Sequence, residues 1–336
     1  MIRVAVFGAG AWGINHVRVL ASEPGCELLD VVDPDATAAE RVRAIAPSAR
    51  CRRTRDEVLG DPDIDAVVIA SPAPTHTELV RAAFAAGKHT LVEKPFGLGL
   101  AEARATAALQ PPGLVAMVGH LMVYHPAVAR LRQLLVSGEL GRLYYLHATR
   151  VNLGRLRRDE NALWSFGPHD LSMIDLLLGR QPLSVAARGH SALQTGVEDV
   201  VFMTLRYATG EMAHLHLSWL SPRKERRLTL VCSQKMVEFD DVSLAKLRIY
   251  DKGYDVPPAF TQFAEYLTIR DGAVHIPQLP MEEPLRLQLQ HFLECIVQKQ
   301  QPLSDVASAV RVVEILEAAQ RSMALDGAPV TLGEVM

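Results

Sequence analysis

Glu93-Lys94-Pro95 ends the apolar run Thr90-Leu91-Val92 in a chain of 336 residues. At the carboxyl end of a buried strand in an open α/β sheet, a lysine faces the crevice where ligands bind, so its ammonium stays hydrated and within reach of substrate. The proline behind it removes a backbone donor and stops the strand ladder. A second group, Gly8-Ala9-Gly10-Ala11-Trp12-Gly13, follows an apolar run at 2–7 and precedes a helical pattern from Ile14 to Ser22. Gly8 permits a tight turn, Gly10 lets backbone approach a pyrophosphate, and Gly13 lets the helix lie close on the strand with its N-terminus toward the anion. Asp33 lies twenty residues beyond Gly13, at the end of the next strand. There it either accepts hydrogen bonds from the ribose 2′-hydroxyl and repels a 2′-phosphate, which points to NAD over NADP, or caps a helix starting near Ala36.

The third group is Trp164-Ser165-Phe166-Gly167-Pro168-His169-Asp170, ahead of an apolar helical run that stops at Gly179. Pro168 suits a first helical turn, which predicts His169 near a helix start, where the macrodipole disfavours the imidazolium and keeps the ring a proton acceptor. On its own this is equally a capping or core histidine. Ser71, Pro72, Thr75 and His76 follow the apolar run Ala66–Ala70. Their hydroxyls and ring either hold cofactor phosphate or ribose, or Thr75 caps a helix with His76 in its first turn.

The elements that must position these groups alternate through the first 120 residues. Apolar runs at 2–7, 27–33, 66–71, 90–93 and 114–119 are separated by helical patterns near 14–22, 36–46, 75–86 and 101–109. Continuous apolar strands between helices imply a doubly wound parallel sheet covered on both faces. From residue 121 to 336 the pattern changes to a helix at 126–136, strand-like runs joined by hairpin-length links, and two closing helices near 285–298 and 306–324. The expectation is a first domain over 1–120 that is α/β, and a second over 121–336 that is α+β with a mixed, largely antiparallel sheet. In Met212–Ser218 the alternation puts His214, His216 and Ser218 on one face, which reads as a polar sheet face or subunit interface and not as a metal site.

A net charge of −3, with 49% hydrophobic and 22% charged residues, fits an ordinary globular protein with no general pull toward nucleic acid or an anionic membrane. Cys26, Cys51, Cys232 and Cys295 are too scattered for a metal knuckle or disulfide framework. No cleavable leader or membrane-spanning run is evident, so the expected compartment is the cytoplasm.

Taken in order, Gly8–Gly13, Asp33, Asp63–Pro72 with His76, Glu93-Lys94-Pro95, Gly119-His120 and Gly167-Pro168-His169-Asp170 resemble the Gfo/Idh/MocA family of nicotinamide-dependent oxidoreductases. The resemblance covers nearly the whole chain and implies a Rossmann domain followed by a domain whose open sheet face forms the interface of a homodimer or homotetramer. It implies NAD held by Gly8, Gly10, Ala11, Trp12, Gly13, Asp33, Ser71, Pro72, Thr75, His76, Glu93, Lys94 and His120. Lys94 takes the place of the lysine between substrate hydroxyl and nicotinamide ribose, and His169 that of the acid/base. Ser165 stands where many members carry an aspartate.

Tyr124, Arg150, Asn152, Arg155, Arg158, Trp164 and Asp170, with Lys94 and His169, are the expected substrate contacts. The arginines between 150 and 158 suit carboxylate or pyrophosphate, or else belong to a solvated loop. The segment looks like members that oxidise nucleotide-linked hexoses or hexuronates at C3. A free cyclitol or sugar is the alternative substrate, and a non-catalytic NAD-sensing regulator the rival of another class.

Overall fold

A computed structural model of the chain describes residues 1–154, 156–158, 160–255 and 268–333. It divides into two compact units, one of residues 1–125 with 282–314 and one of residues 126–281 with 315–336.

The first unit begins with β1 (Ile2–Phe7), α1 (Gly13–Ala21), β2 (Cys26–Val32), α2 (Ala38–Ile45), β3 (Arg50–Arg52) and α3 (Asp56–Leu59). It continues through β4 (Ala66–Ile69), α4 (His76–Ala85), β5 (His89–Glu93), α5 (Leu100–Ala107) and β6 (Ala116–Gly119). The six strands are ordered β3-β2-β1-β4-β5-β6 and every pairing is parallel. Val4, Ala5, Val67, Val68 and Leu91 are wholly buried, as strands covered on both faces require. Each such branched side chain contributes about 1.5–3 kcal/mol of burial free energy. The order reverses between β1 and β4, so the turns after those two strands flank the switch point where α/β sheets bind ligands.

The second unit holds α6 (Pro126–Val136), β7 (Leu143–Val151), α7 (Ala162–Leu178), β8 (Ser184–His190), β9 (Val200–Arg206) and β10 (Met212–Ser218). These are followed by β11 (Glu225–Cys232), β12 (Met236–Asp240), β13 (Leu247–Asp255) and β14 (Thr268–His275). The chain then forms α8 (Pro284–Gln298) in the first unit, α9 (Val306–Ala324), and β15 (Val330–Thr331) in the second. The nine strands run β14-β13-β12-β11-β7-β10-β9-β8-β15, and the pairings are antiparallel except β7 with β10. This is the mixed, largely antiparallel sheet the sequence predicts. On β10, Ala213, Leu215 and Leu217 are buried while His214 and His216 lie half-buried on the opposite face, and Ser218 is buried as well.

Two expectations change. A single boundary at residue 120 does not describe the units, because residues 282–314 return to the first. In that return Val118 donates its amide to the Ser304 carbonyl at 2.8 Å, and the Ser304 hydroxyl donates to the Val118 carbonyl at 2.7 Å. The helix carrying His169 begins at Ala162, not near Pro168. Asn161 caps it, its side chain accepting the Trp164 amide at 3.1 Å. Pro168 therefore lies inside the helix, His169 is well past its first turn, and the macrodipole no longer acts on the ring.

Candidate active site

In the first unit, a cavity of about 560 Å³ opens beside the glycine loop, in the roughly 300–1,000 Å³ range of cofactor sites. Gly8, Gly10, Ala11, Trp12, Asp33, Ser71, Pro72 and Thr75, all expected cofactor contacts, line it. Gly8 has φ +95°, and a Cβ there would lie 2.7 Å from the Ala70 carbonyl oxygen, so the turn needs glycine. A Cβ at Gly13 would lie 2.0 Å from the Gly8 carbonyl oxygen, which fixes how closely α1 meets β1. A Cβ at Gly10 would meet no protein atom within 4 Å. Its backbone is open to the cavity, whose size and glycine-loop lining fit a dinucleotide.

Asp33 does not cap α2. Its Oδ2 accepts the Ala9 amide at 2.7 Å and its Oδ1 the Asp35 amide at 2.8 Å, so the carboxylate anchors the glycine loop at the cavity wall. The Ser71 and Thr75 hydroxyls bond each other at 2.6 Å, and Thr75 Oγ1 also donates to the Pro72 carbonyl at 2.8 Å.

Lys94 follows β5 and is half-buried. His76 differs from expectation: its ring is buried, with Nδ1 at 2.8 Å from the Pro95 carbonyl and Nε2 at 2.9 Å from the Ser71 carbonyl. Each nitrogen lies within hydrogen-bond distance of a main-chain carbonyl, so the buried ring ties the ends of β4 and β5 together. Glu93 is likewise turned inward, accepting from Trp12 Nε1 at 2.6 Å with His16 Nε2 at 2.9 Å. Burial works to raise its pKa, but these hydrogen bonds and the nearby Lys94 charge outweigh it and hold the carboxyl below its usual value.

His120 is buried, and burial pushes its pKa down to about 4, so the ring is neutral. Tyr124 is buried too, its hydroxyl 2.9 Å from Ser304 Oγ and within reach of the Met117 sulfur at 3.6 Å. This removes it from the expected substrate contacts.

In the second unit, His169 and Trp164 are half-buried on α7, with Ser165 one turn before His169. Arg150 and Asp170 are buried and paired with each other. The guanidinium on β7 and the carboxylate on α7 form a buried two-bond pair at 2.7 and 2.9 Å. Burial opposes the Arg150 charge, yet Asp170 raises its pKa overall. Asn152 is half-buried just past β7 and Arg158 is exposed, while Arg155 lies outside the described residues.

A profile described as "Oxidoreductase family, NAD-binding Rossmann fold" matches residues 2–120, and one for the GFO/IDH/MocA C-terminal domain matches residues 128–238. The chain belongs to the GFO/IDH/MocA oxidoreductase family. It is similar to a UDP-N-acetylglucosamine 3-dehydrogenase of Acidithiobacillus ferrooxidans, 30% identical over 93% of this chain and 94% of the relative. It is also similar to a scyllo-inositol 2-dehydrogenase (NAD(+)) of Bacillus subtilis, 27% identical over 98% of this chain and 96% of the relative. Among solved structures, GenD2 from gentamicin A biosynthesis, in complex with NAD, superposes with a TM-score of 0.81 at 27% identity, covering 99% of this chain and 96% of its own. The protein is an enzyme, an NAD-binding dehydrogenase or reductase acting on CH–OH groups.

Sequence reading passed over two groups in this oxidoreductase. His16, wholly buried beside Glu93, was signalled only by a polar residue on the apolar stripe of α1 with Val17, Val19 and Leu20. Arg53 and Arg55 line the cofactor cavity from beyond β3, a strand too short to stand out in the sequence. Arg55 is engaged with Glu78 at 2.6 Å.

Proposed function

We propose that the enzyme oxidises a secondary alcohol of a sugar, and that its substrate is a nucleotide-linked hexose or hexuronate reacting at C3. The observation that carries the reading is the near full-length similarity to a UDP-N-acetylglucosamine 3-dehydrogenase. An exposed Arg158 ahead of α7 supports it, since guanidinium binds pyrophosphate or carboxylate through paired hydrogen bonds.

In this reading NAD, when bound, supplies the hydride acceptor. Gly8, Gly10 and Asp33 hold and orient it at the loop, the last by accepting from the adenosine ribose. Lys94 presents its ammonium to the substrate hydroxyl and stabilises the alkoxide as it develops. The His169 imidazole takes the hydroxyl proton, and Arg158 and Asn152 hold the rest of the substrate.

The enzyme is further proposed to form a homodimer or homotetramer through the open face of the nine-stranded sheet, on which Tyr145, Phe202 and Met212 remain 45–47% exposed. These side chains share their face with His214 and His216, a surface that suits an isologous contact, and Phe202→Glu is expected to lower the mass measured by sedimentation. A cytoplasmic location fits the four free cysteines. Among the described residues no helix is long and apolar enough to cross a membrane.

The test is a panel of UDP-, GDP- and dTDP-sugars alongside free polyols, following NADH absorbance. Reduction of NAD with a nucleotide sugar is the expected result. Turnover of free inositol or glucose alone would overturn the nucleotide-sugar reading in favour of a cyclitol or free-sugar dehydrogenase, the reading the similarity to the scyllo-inositol enzyme favours.

A further inference from the structure

Glu93 is a buried carboxylate met by groups from three parts of the first unit. Trp12 Nε1, from the glycine loop, donates to Oε1 at 2.6 Å. His16 Nε2, from α1, lies 2.9 Å from the same oxygen. The main-chain amide of Lys94 donates to Oε2 at 3.2 Å. On β6, Gly119 leaves the space the carboxylate fills, because a Cβ there would lie 2.9 Å from Glu93 Cδ.

A buried carboxylate is costly unless its oxygens are satisfied, and here both are. Trp12 lines the cofactor cavity and is 43% exposed, so its indole is gripped by the N–H while the rest of the side chain borders the cofactor's space. One anion thus meets both the loop that bounds the cavity and the backbone of the lysine.

We propose that Glu93 is a positioning residue, not a cofactor contact: its carboxylate ties the glycine loop, through Trp12, to the main chain of Lys94, and so sets where the lysine stands relative to bound NAD. The proposal rests on the reading of Lys94 as the group that meets the substrate hydroxyl. Because Trp12 and Glu93 act through one hydrogen bond, removing either should remove the same contribution.

The experiment measures kcat at saturating NAD, and NAD Kd by calorimetry, in Glu93→Gln, Trp12→Phe, the double variant and Lys94→Ala. Glu93→Gln keeps the volume and loses the charge. It is expected to lower kcat by at least about tenfold while NAD Kd stays within about threefold. Trp12→Phe should lower kcat severalfold, and the double variant should match the worse single within about twofold.

Unchanged kcat in Glu93→Gln, a loss confined to NAD affinity, or single effects that multiply in the double variant would each overturn the proposal. Where Glu93→Gln does not fold, Trp12→Phe decides: lowered kcat with NAD Kd retained supports the tie, and wild-type kcat overturns it. Lys94→Ala separates the two layers. Full turnover in that variant removes the reading of Lys94, whereas an inactive Lys94→Ala beside a fully active Glu93→Gln removes only the role of Glu93.

Discussion

Arg150 Nε lies 2.7 Å from Asp170 Oδ2 and Nη2 lies 2.9 Å from Oδ1, with only 5% and 1% of the two side chains exposed. The pair joins β7 to α7 at the residue after His169. Breaking a buried pair by removing one partner strands the other charge and costs about 3–5 kcal/mol, whereas replacing both with apolar groups is often close to neutral. Arg150→Met and Asp170→Asn are each expected to lower unfolding free energy by that amount in urea titration. The double variant Arg150→Met/Asp170→Leu should recover most of it and keep the substrate KM. A KM raised in a double variant of normal stability would restore Arg150 as a substrate contact.

Local grammar carried much of this architecture into the sequence. Proline at 126 and aspartate at 305 begin α6 and α9 where the pattern places them, and Asp305 accepts the Ser308 amide at 2.7 Å. The glycine loop was legible because each glycine answers a separate steric demand. What stayed hidden depends on partners distant in sequence. Glu93 meets His16 across 77 residues and Arg150 meets Asp170 across 20, and no local pattern says which charges will be buried together. Pro168 misled because proline marks first turns so often, while the true cap, Asn161, is fixed by Glu198 and Gln320 at 2.6 and 2.9 Å.

The glycines make a paired prediction. Gly13→Ala would place a Cβ 2.0 Å from a backbone oxygen, so it should destabilise the first unit as well as abolish NAD binding. Gly10→Ala meets no protein atom within 4 Å and is expected to leave the melting temperature unchanged while weakening NAD binding, because the methyl fills the pyrophosphate's space. Calorimetric Kd beside thermal melting separates the two, and equal stability losses would refute the assignment.

In the proposed reading Asp33 selects the cofactor in two ways, by its charge and by its bond to the Ala9 amide. Asp33→Ser removes the repulsion of a 2′-phosphate and should raise the ratio of kcat/KM for NADP to that for NAD by at least about tenfold. Absolute activity with NAD should fall as the loop loses its anchor. A ratio that does not move would assign the discrimination to another residue.

For Lys94 and His169 the expected outcome is a split between chemistry and binding. Lys94→Ala and His169→Ala should each lower turnover by a factor on the order of a hundred or more, with NAD Kd retained, as removal of a transition-state contact requires. Wild-type turnover in either variant would take that residue out of the mechanism.

His120 makes a prediction about pH and stability. Burial is the main cause of its low pKa; Lys94 lowers it further and Glu93 opposes, leaving a value of about 4 against 6.5 for an unperturbed ring. Above pH 6.5 the ring is neutral both folded and unfolded and there is no penalty. As pH falls from about 6.5 to about 4, the unfolded chain takes a proton that the buried ring refuses, so the fold loses stability on the order of 3 kcal/mol. Glu93, with its pKa held down in the fold, contributes stability above the usual carboxylate range that is lost at lower pH, which makes the acid limb steeper still. His120→Phe should therefore flatten the decline in unfolding free energy between about pH 6.5 and 4 relative to wild type, with the Glu93 part remaining below it. Parallel curves for the two proteins in urea titrations across that range would mean that the folded ring takes its proton as readily as the unfolded one.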